Sequence, residues 1–114
     1  MAFYRLNNLE RIGAAAAGDS AARPAVRGER LEMGYYRYPP GTKKHAHSHP
    51  EEQIVAVLKG KLGYRVAGET KIIGPGEAVC IPANVEHDNW SLDEEVEFLS
   101  CKTALTRSPK GSAR

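Results

Sequence analysis

The sequence carries little of what marks a secreted, membrane-bound or nucleic-acid-binding chain. Only two cysteines, Cys80 and Cys101, occur in its 114 residues. Two are too few for a disulfide framework, and both sit in apolar segments where they read as free, buried thiols. No apolar run reaches the roughly 18 residues of a membrane-spanning helix, and the first residues lack a continuous apolar core of the signal-peptide kind. Sixteen basic residues against fourteen acidic ones leave a net charge of +2, too small to define a nucleic-acid surface. No convincing amphipathic helix and no internal repeat is found. These absences lead us to expect a cytoplasmic chain with no membrane or nucleic-acid partner. Its length suits one compact domain.

What is present is a concentration of histidine. Three of the four histidines fall in His45-Ala46-His47-Ser48-His49-Pro50-Glu51-Glu52-Gln53, and the fourth is His87. On an extended strand the alternating three project to one face. Imidazoles on neighbouring same-face positions can converge on one metal ion. The bland alternative is a solvated, histidine-rich loop. A tag-like artefact is excluded, because the cluster is internal and flanked by turn and strand signals.

Around this cluster the chain reads as short strands. Residues 3–6 suggest a first strand, followed by a small-residue connector that reaches Ala25. From Val26 to Tyr38 the pattern is strand-like with both faces partly apolar, and Pro39-Pro40-Gly41 stops it. Residues 53–59 and 61–66 read as a hairpin turning at Lys59-Gly60. Further strands are expected near 70–73, 78–81, 87–92 and 96–103, divided by Gly74-Pro75-Gly76, Pro82-Ala83-Asn84 and Asp93-Glu94-Glu95. This spacing predicts an all-β sandwich or barrel. The expected division is an N-terminal strand and flexible connector over 1–25, a barrel over 26–105, and a disordered basic tail over 106–114.

Two spacings match a known family. Gly41, five residues, His47-Ser48-His49, three residues, Gln53, six residues and Gly60 resemble the first motif of the cupin superfamily, which normally has Glu at position 53. Gly76, five residues, Pro82-Ala83-Asn84, two residues and His87 resemble the second, which usually has Gly at 84 and Asn at 91, where this chain has Ser91. Asn tolerates the left-handed backbone a glycine would adopt there. The resemblance implies a single-domain jelly-roll β-barrel. It also implies a divalent transition metal (Ni, Zn, Mn, Fe or Cu) held in the barrel mouth by His47, His49, Gln53 and His87. Within cupins, the His47-to-Gln53 stretch resembles a subset that includes a small pectin-degradation cupin and an isomerase using Gln with three His. His45 falls outside the motif positions. Glu51 shares parity with His49 and Gln53 and could supply a carboxylate.

Three imidazoles and an amide are neutral, so a divalent ion would keep its full charge and act as a strong Lewis acid. The expected function is therefore a small metalloenzyme of lyase or isomerase type acting on a carbonyl- or hydroxyl-bearing metabolite. The alternatives are a metal-dependent dioxygenase and a non-catalytic small-ligand-binding barrel. Candidate proton carriers are Tyr36, Tyr38, Tyr64, Arg37, Arg65, Glu51 and Asn89, although tyrosines on strands more often pack at the core edge. Trp90 reads as packing. A homodimer is the expected assembly, because small jelly rolls leave sheet edges to be covered.

Overall fold

The computed structural model describes residues 3–6, 11–12 and 23–104. Among the described residues nine strands occur in chain order: β1 (Arg11–Ile12), β2 (Arg23–Arg27), β3 (Leu31–Tyr38), β4 (Gln53–Lys59), β5 (Leu62–Val66), β6 (Glu69–Ile73), β7 (Ala78–Ile81), β8 (His87–Ser91) and β9 (Val96–Thr103). They form a six-stranded sheet in the order β1-β2-β3-β9-β4-β7 and a three-stranded sheet in the order β6-β5-β8. All pairings are antiparallel, so the architecture is an all-β jelly roll. No described helix is long and apolar enough to cross a membrane.

Three expectations about the strands need correction. Residues 3–6 form no strand, and the single strand expected over Val26–Tyr38 is two, β2 and β3, paired antiparallel across the turn at residues 28–30, with β2 already beginning at Arg23 inside the expected connector. The run Lys59-Gly60 does not close a hairpin. β4 pairs with β7 and β9, whereas β5 pairs with β6 and β8, so the chain crosses here from one layer to the other. Gly60 makes that crossing with φ +80° where an added Cβ would collide with the Glu95 carbonyl oxygen, and only glycine meets both demands without strain. Residues 13–22 and 105–114, which hold most of the connector and the expected tail, lie outside the described residues.

β5 instead forms a hairpin with β6, closed by Ala67-Gly68 with both residues at positive φ. A two-residue loop of this type matches the right-handed twist of its strands. Between the layers lie Val55, Val57, Leu62, Ile81 and Val96, each at most 1% exposed. Full burial of such side chains is worth about 1.5–3 kcal/mol apiece. Phe98 joins them, its ring stacked on Tyr36 at 5.2 Å and met edge-on by Tyr38 at 4.9 Å.

The cysteines are free but not buried. Cys80 is exposed and Cys101 half-buried, because both flank Ile54 on the outer face of the large sheet.

Candidate metal centre

The histidine segment is the structural partner of β8. After β3, Pro39-Pro40-Gly41 turns the chain, with Gly41 at φ +74°. Ser91, where an Asn was expected from the motif, secures this turn: its hydroxyl donates to the Pro39 carbonyl at 2.6 Å and accepts from the Thr42 N–H at 2.8 Å. Residues 42–47 then run beside β8 with hydrogen bonds to the backbone of Asn89 and His87. They make isolated bridges, Lys43 with Trp90 and His47 with His87, rather than a regular strand. The register slips by one residue between the two bridges, so the expected simple alternation does not run through the whole segment.

Three rings meet where this segment, the turn after it and β8 converge. The candidate ligand nitrogens of His47, His49 and His87 all lie within 4.8 Å of one another. Asn84 adopts the left-handed conformation, φ 64°, and its N–H donates to the His49 carbonyl at 2.7 Å. The turn of the second motif is thereby fastened to the first.

The orientation of each ring is fixed by a backbone carbonyl two residues away. His47 Nδ1 donates to the His45 carbonyl at 3.0 Å, His49 Nδ1 to the Glu51 carbonyl at 2.9 Å, and His87 Nδ1 to the Val85 carbonyl at 2.9 Å. A carbonyl oxygen only accepts, so the proton sits on Nδ1 and a neutral ring presents its Nε2 lone pair. Such a second hydrogen bond is what sets the tautomer of a metal-ligating histidine. Burial, at 3% exposure for His87, holds its imidazole below the ordinary histidine range; the neighbouring His47, His49 and Lys102 act in the same direction, against the Val85 hydrogen bond. His87 is thus favoured in the neutral form.

Gln53 completes the cluster from the first residue of β4. Its Oε1 lies 3.1 Å from His49 Nε2, while its Nε2 donates to Ser100 Oγ at 2.7 Å. With the His49 proton on Nδ1, two electron-pair donors face each other across that short gap. A cation between them removes the conflict, and this donor set fits a divalent transition metal.

The other sequence candidates separate cleanly. His45 is exposed and stands outside the group of three rings; it lines the cavity beside them, and its carbonyl accepts from His47. The Glu51 carboxylate stands 3.6 Å from His49 Nδ1, behind the ring and away from its Nε2. Arg37 faces Glu95 and Glu97 on the outer side of the large sheet. Arg65 forms a two-pronged pair with Asp88 at 3.0 and 2.8 Å on the outer side of the small one. Trp90 packs there over Gly63, as expected of a packing residue.

Tyr36, Tyr38, Tyr64 and Asn89 do line the cavity of about 340 Å³ above the three rings. The Tyr38 hydroxyl donates to Asn89 Oδ1 at 3.1 Å. Burial pushes the Tyr64 phenol well above the ordinary tyrosine range, with its hydrogen bond to Asn89 opposing, so this phenol remains protonated at neutral pH. Four lining residues escaped the sequence reading: Lys44, Phe98, Ser100 and Lys102. Alternate positions of β9 carry the missed signal. Val96, Phe98, Ser100 and Lys102 face inward and change from apolar to charged along the strand.

Comparison with known proteins agrees with this geometry. Residues 34–101 match the cupin domain model, and the chain belongs to that family. A protein of Streptomyces coelicolor, itself uncharacterized, is 28% identical over 99 residues, covering 87% of this chain and 92% of its own. KdgF from a Halomonas species superposes with a TM-score of 0.69 at 20% identity, over 75% of this chain and 80% of that one. An RmlC-like cupin from Shewanella frigidimarina gives a TM-score of 0.68 at 17% identity, over 75% and 78%. At these identities the two structures establish the shared fold alone.

Proposed function

We propose that this cupin is a metalloenzyme in which His47, His49, His87 and Gln53 hold a divalent ion for lyase or isomerase chemistry on a small carbonyl- or hydroxyl-bearing metabolite. One observation carries the reading. Each of the three imidazoles of His47, His49 and His87 spends its Nδ1 proton on a backbone carbonyl, so three Nε2 lone pairs and the Gln53 amide oxygen share one small space. When bound, the ion would supply Lewis acidity to an oxygen of the substrate, undiminished by any carboxylate ligand.

The chain's own residues would do the rest. Ser100 holds the Gln53 amide with its oxygen toward the histidines. Tyr64, kept protonated, is suited to donate a proton or hydrogen bond rather than to act as base. Asn89 joins Tyr64 to Tyr38 and fixes both phenols over the rings. The stacked rings of Phe98 and Tyr36 give the cavity an apolar wall. For assembly we propose a homodimer, supported by the exposed Ile54 and Leu58 on the outer face of β4.

The test is metal content by mass spectrometry for untagged wild type and His49→Ala, with oxygen uptake recorded alongside. Stoichiometric nickel, zinc or manganese in the wild type, lost in the variant, is the expected result. Iron or copper with substrate-dependent oxygen uptake would favour the dioxygenase. A wild type that stays metal-free after reloading would leave a binding barrel.

A further inference from the structure

The cavity above the histidines is one-sided in charge. Lys44 and Lys102 line it, and among its described lining residues there is no acid. Lys44 comes from the segment running beside β8, and its ammonium lies 5.5 Å from the centre of the Tyr38 ring. Lys102 comes from the inward face of β9, and its charge is felt at the His87 ring.

The placement of Lys102 follows from the sheet. Arg27 on β2, Glu32 on β3, Lys102 on β9 and Gln53 on β4 are successive register partners, forming one row across four strands. Glu32 is 8% exposed and accepts from Arg27 Nη2 at 3.1 Å. Its single negative charge therefore stands between two cations, and the row keeps a net positive charge at the end that reaches Gln53 and the cavity. The inner donors, three imidazoles and an amide, bring no negative charge either. A divalent ion there, together with two ammonium groups, would face a lining without a carboxylate, in a partly buried space where charge is poorly screened. A neutral ligand leaves that field unbalanced.

We propose that the ligand of this site is a small carboxylate, its anionic group met by Lys102 and Lys44 at the mouth and its second oxygen directed at the histidine nitrogens. The inner contact rests on the metal reading above; the lysine contacts do not need the ion. The cavity of about 340 Å³ has room for a short carbon skeleton between the two ends.

The experiment titrates malonate and its uncharged isostere malonamide into the full chain by calorimetry, with and without one equivalent of zinc. Wild type and Lys44→Met/Lys102→Met are compared, with zinc content measured for both. Zinc itself prefers the diacid, so the informative quantity is the change in the malonate-to-malonamide ratio between the two proteins. The expected result is a ratio that falls about tenfold in the variant, as for loss of a charge-assisted contact, at unchanged zinc content. An unchanged ratio in a zinc-loaded variant overturns the proposal. If the wild type takes up no zinc, the metal reading fails, and the metal-free titration decides the lysines alone: malonate binding no tighter than malonamide overturns their role. Should the double variant not fold, Lys44→Met, at an exposed position, supplies the comparison under the same criteria.

Discussion

His47 and His87 exchange both backbone hydrogen bonds across one antiparallel bridge, at 3.0 and 2.9 Å, and their ring centroids stand 4.4 Å apart. The two cupin motifs, forty residues apart in sequence, are thus locked backbone to backbone at the point where their rings meet. The locking does not depend on the imidazoles. His87→Ala should therefore fold and yet lose the site. Zinc at a hundred times its dissociation constant should stabilise the wild type by about 2.7 kcal/mol, seen as a rise in Tm. The same addition should leave His87→Ala unmoved. A full zinc-dependent shift in the variant would remove His87 from the site.

Gln53→Glu places a carboxylate beside His49 Nε2, where Ser100 Oγ can turn to donate to it. One added negative charge should slow extraction of the ion by a chelator, by about tenfold, and weaken its Lewis acidity. Extraction at the wild-type rate would show that residue 53 does not touch the ion.

Gly60→Ala sets a Cβ against the Glu95 carbonyl oxygen at a residue held at φ +80°. Backbone strain and overpacking together should cost about 2–4 kcal/mol, measured as a fall in the urea midpoint at constant slope. Gly68→Ala provides the control, because nothing lies within 4 Å of its added Cβ even though its φ is +86°; its loss should be confined to the strain.

Asp88 is held below its ordinary carboxylate value of 3.8, first by the hydrogen bond from Arg65, with burial opposing. A depressed folded value means that the unfolded chain binds the proton more readily. The stabilisation is therefore present above about pH 4 and is lost as pH falls through the depressed value. Asp88→Asn removes that titration, so its stability should fall less steeply than that of wild type on the acid side. Chemical denaturation at pH 7 and pH 3 checks this; equal losses in the two proteins would deny the pair its role.

Much of the candidate metal centre was legible in the sequence because it is built from local chemistry. His47 and His49 share a face by a two-residue spacing, and the turns at Gly41 and Asn84 need the left-handed backbone those residues tolerate. Gln53 was legible only through the family spacing, since its amide is oriented by Ser100, a residue 47 positions away. Lys102 was hidden for the same reason. Its place beside the rings follows from the pairing of β9 with β3 and β4, and short-range patterns do not specify long-range register.

By itself the sequence determined where the strands from β4 onward start and stop, since proline, glycine and asparagine set local dihedral angles that neighbours cannot override cheaply. Only the tertiary structure decided which strands pair. Gly60 permits a turn whether the flanking strands join in a hairpin or part into two layers. The layered solution buries Val55 and Val57 on one side and Leu62 and Tyr64 on the other. A flat hairpin of β4 and β5 would place those four side chains in a single sheet, without the opposing layer that removes them from water.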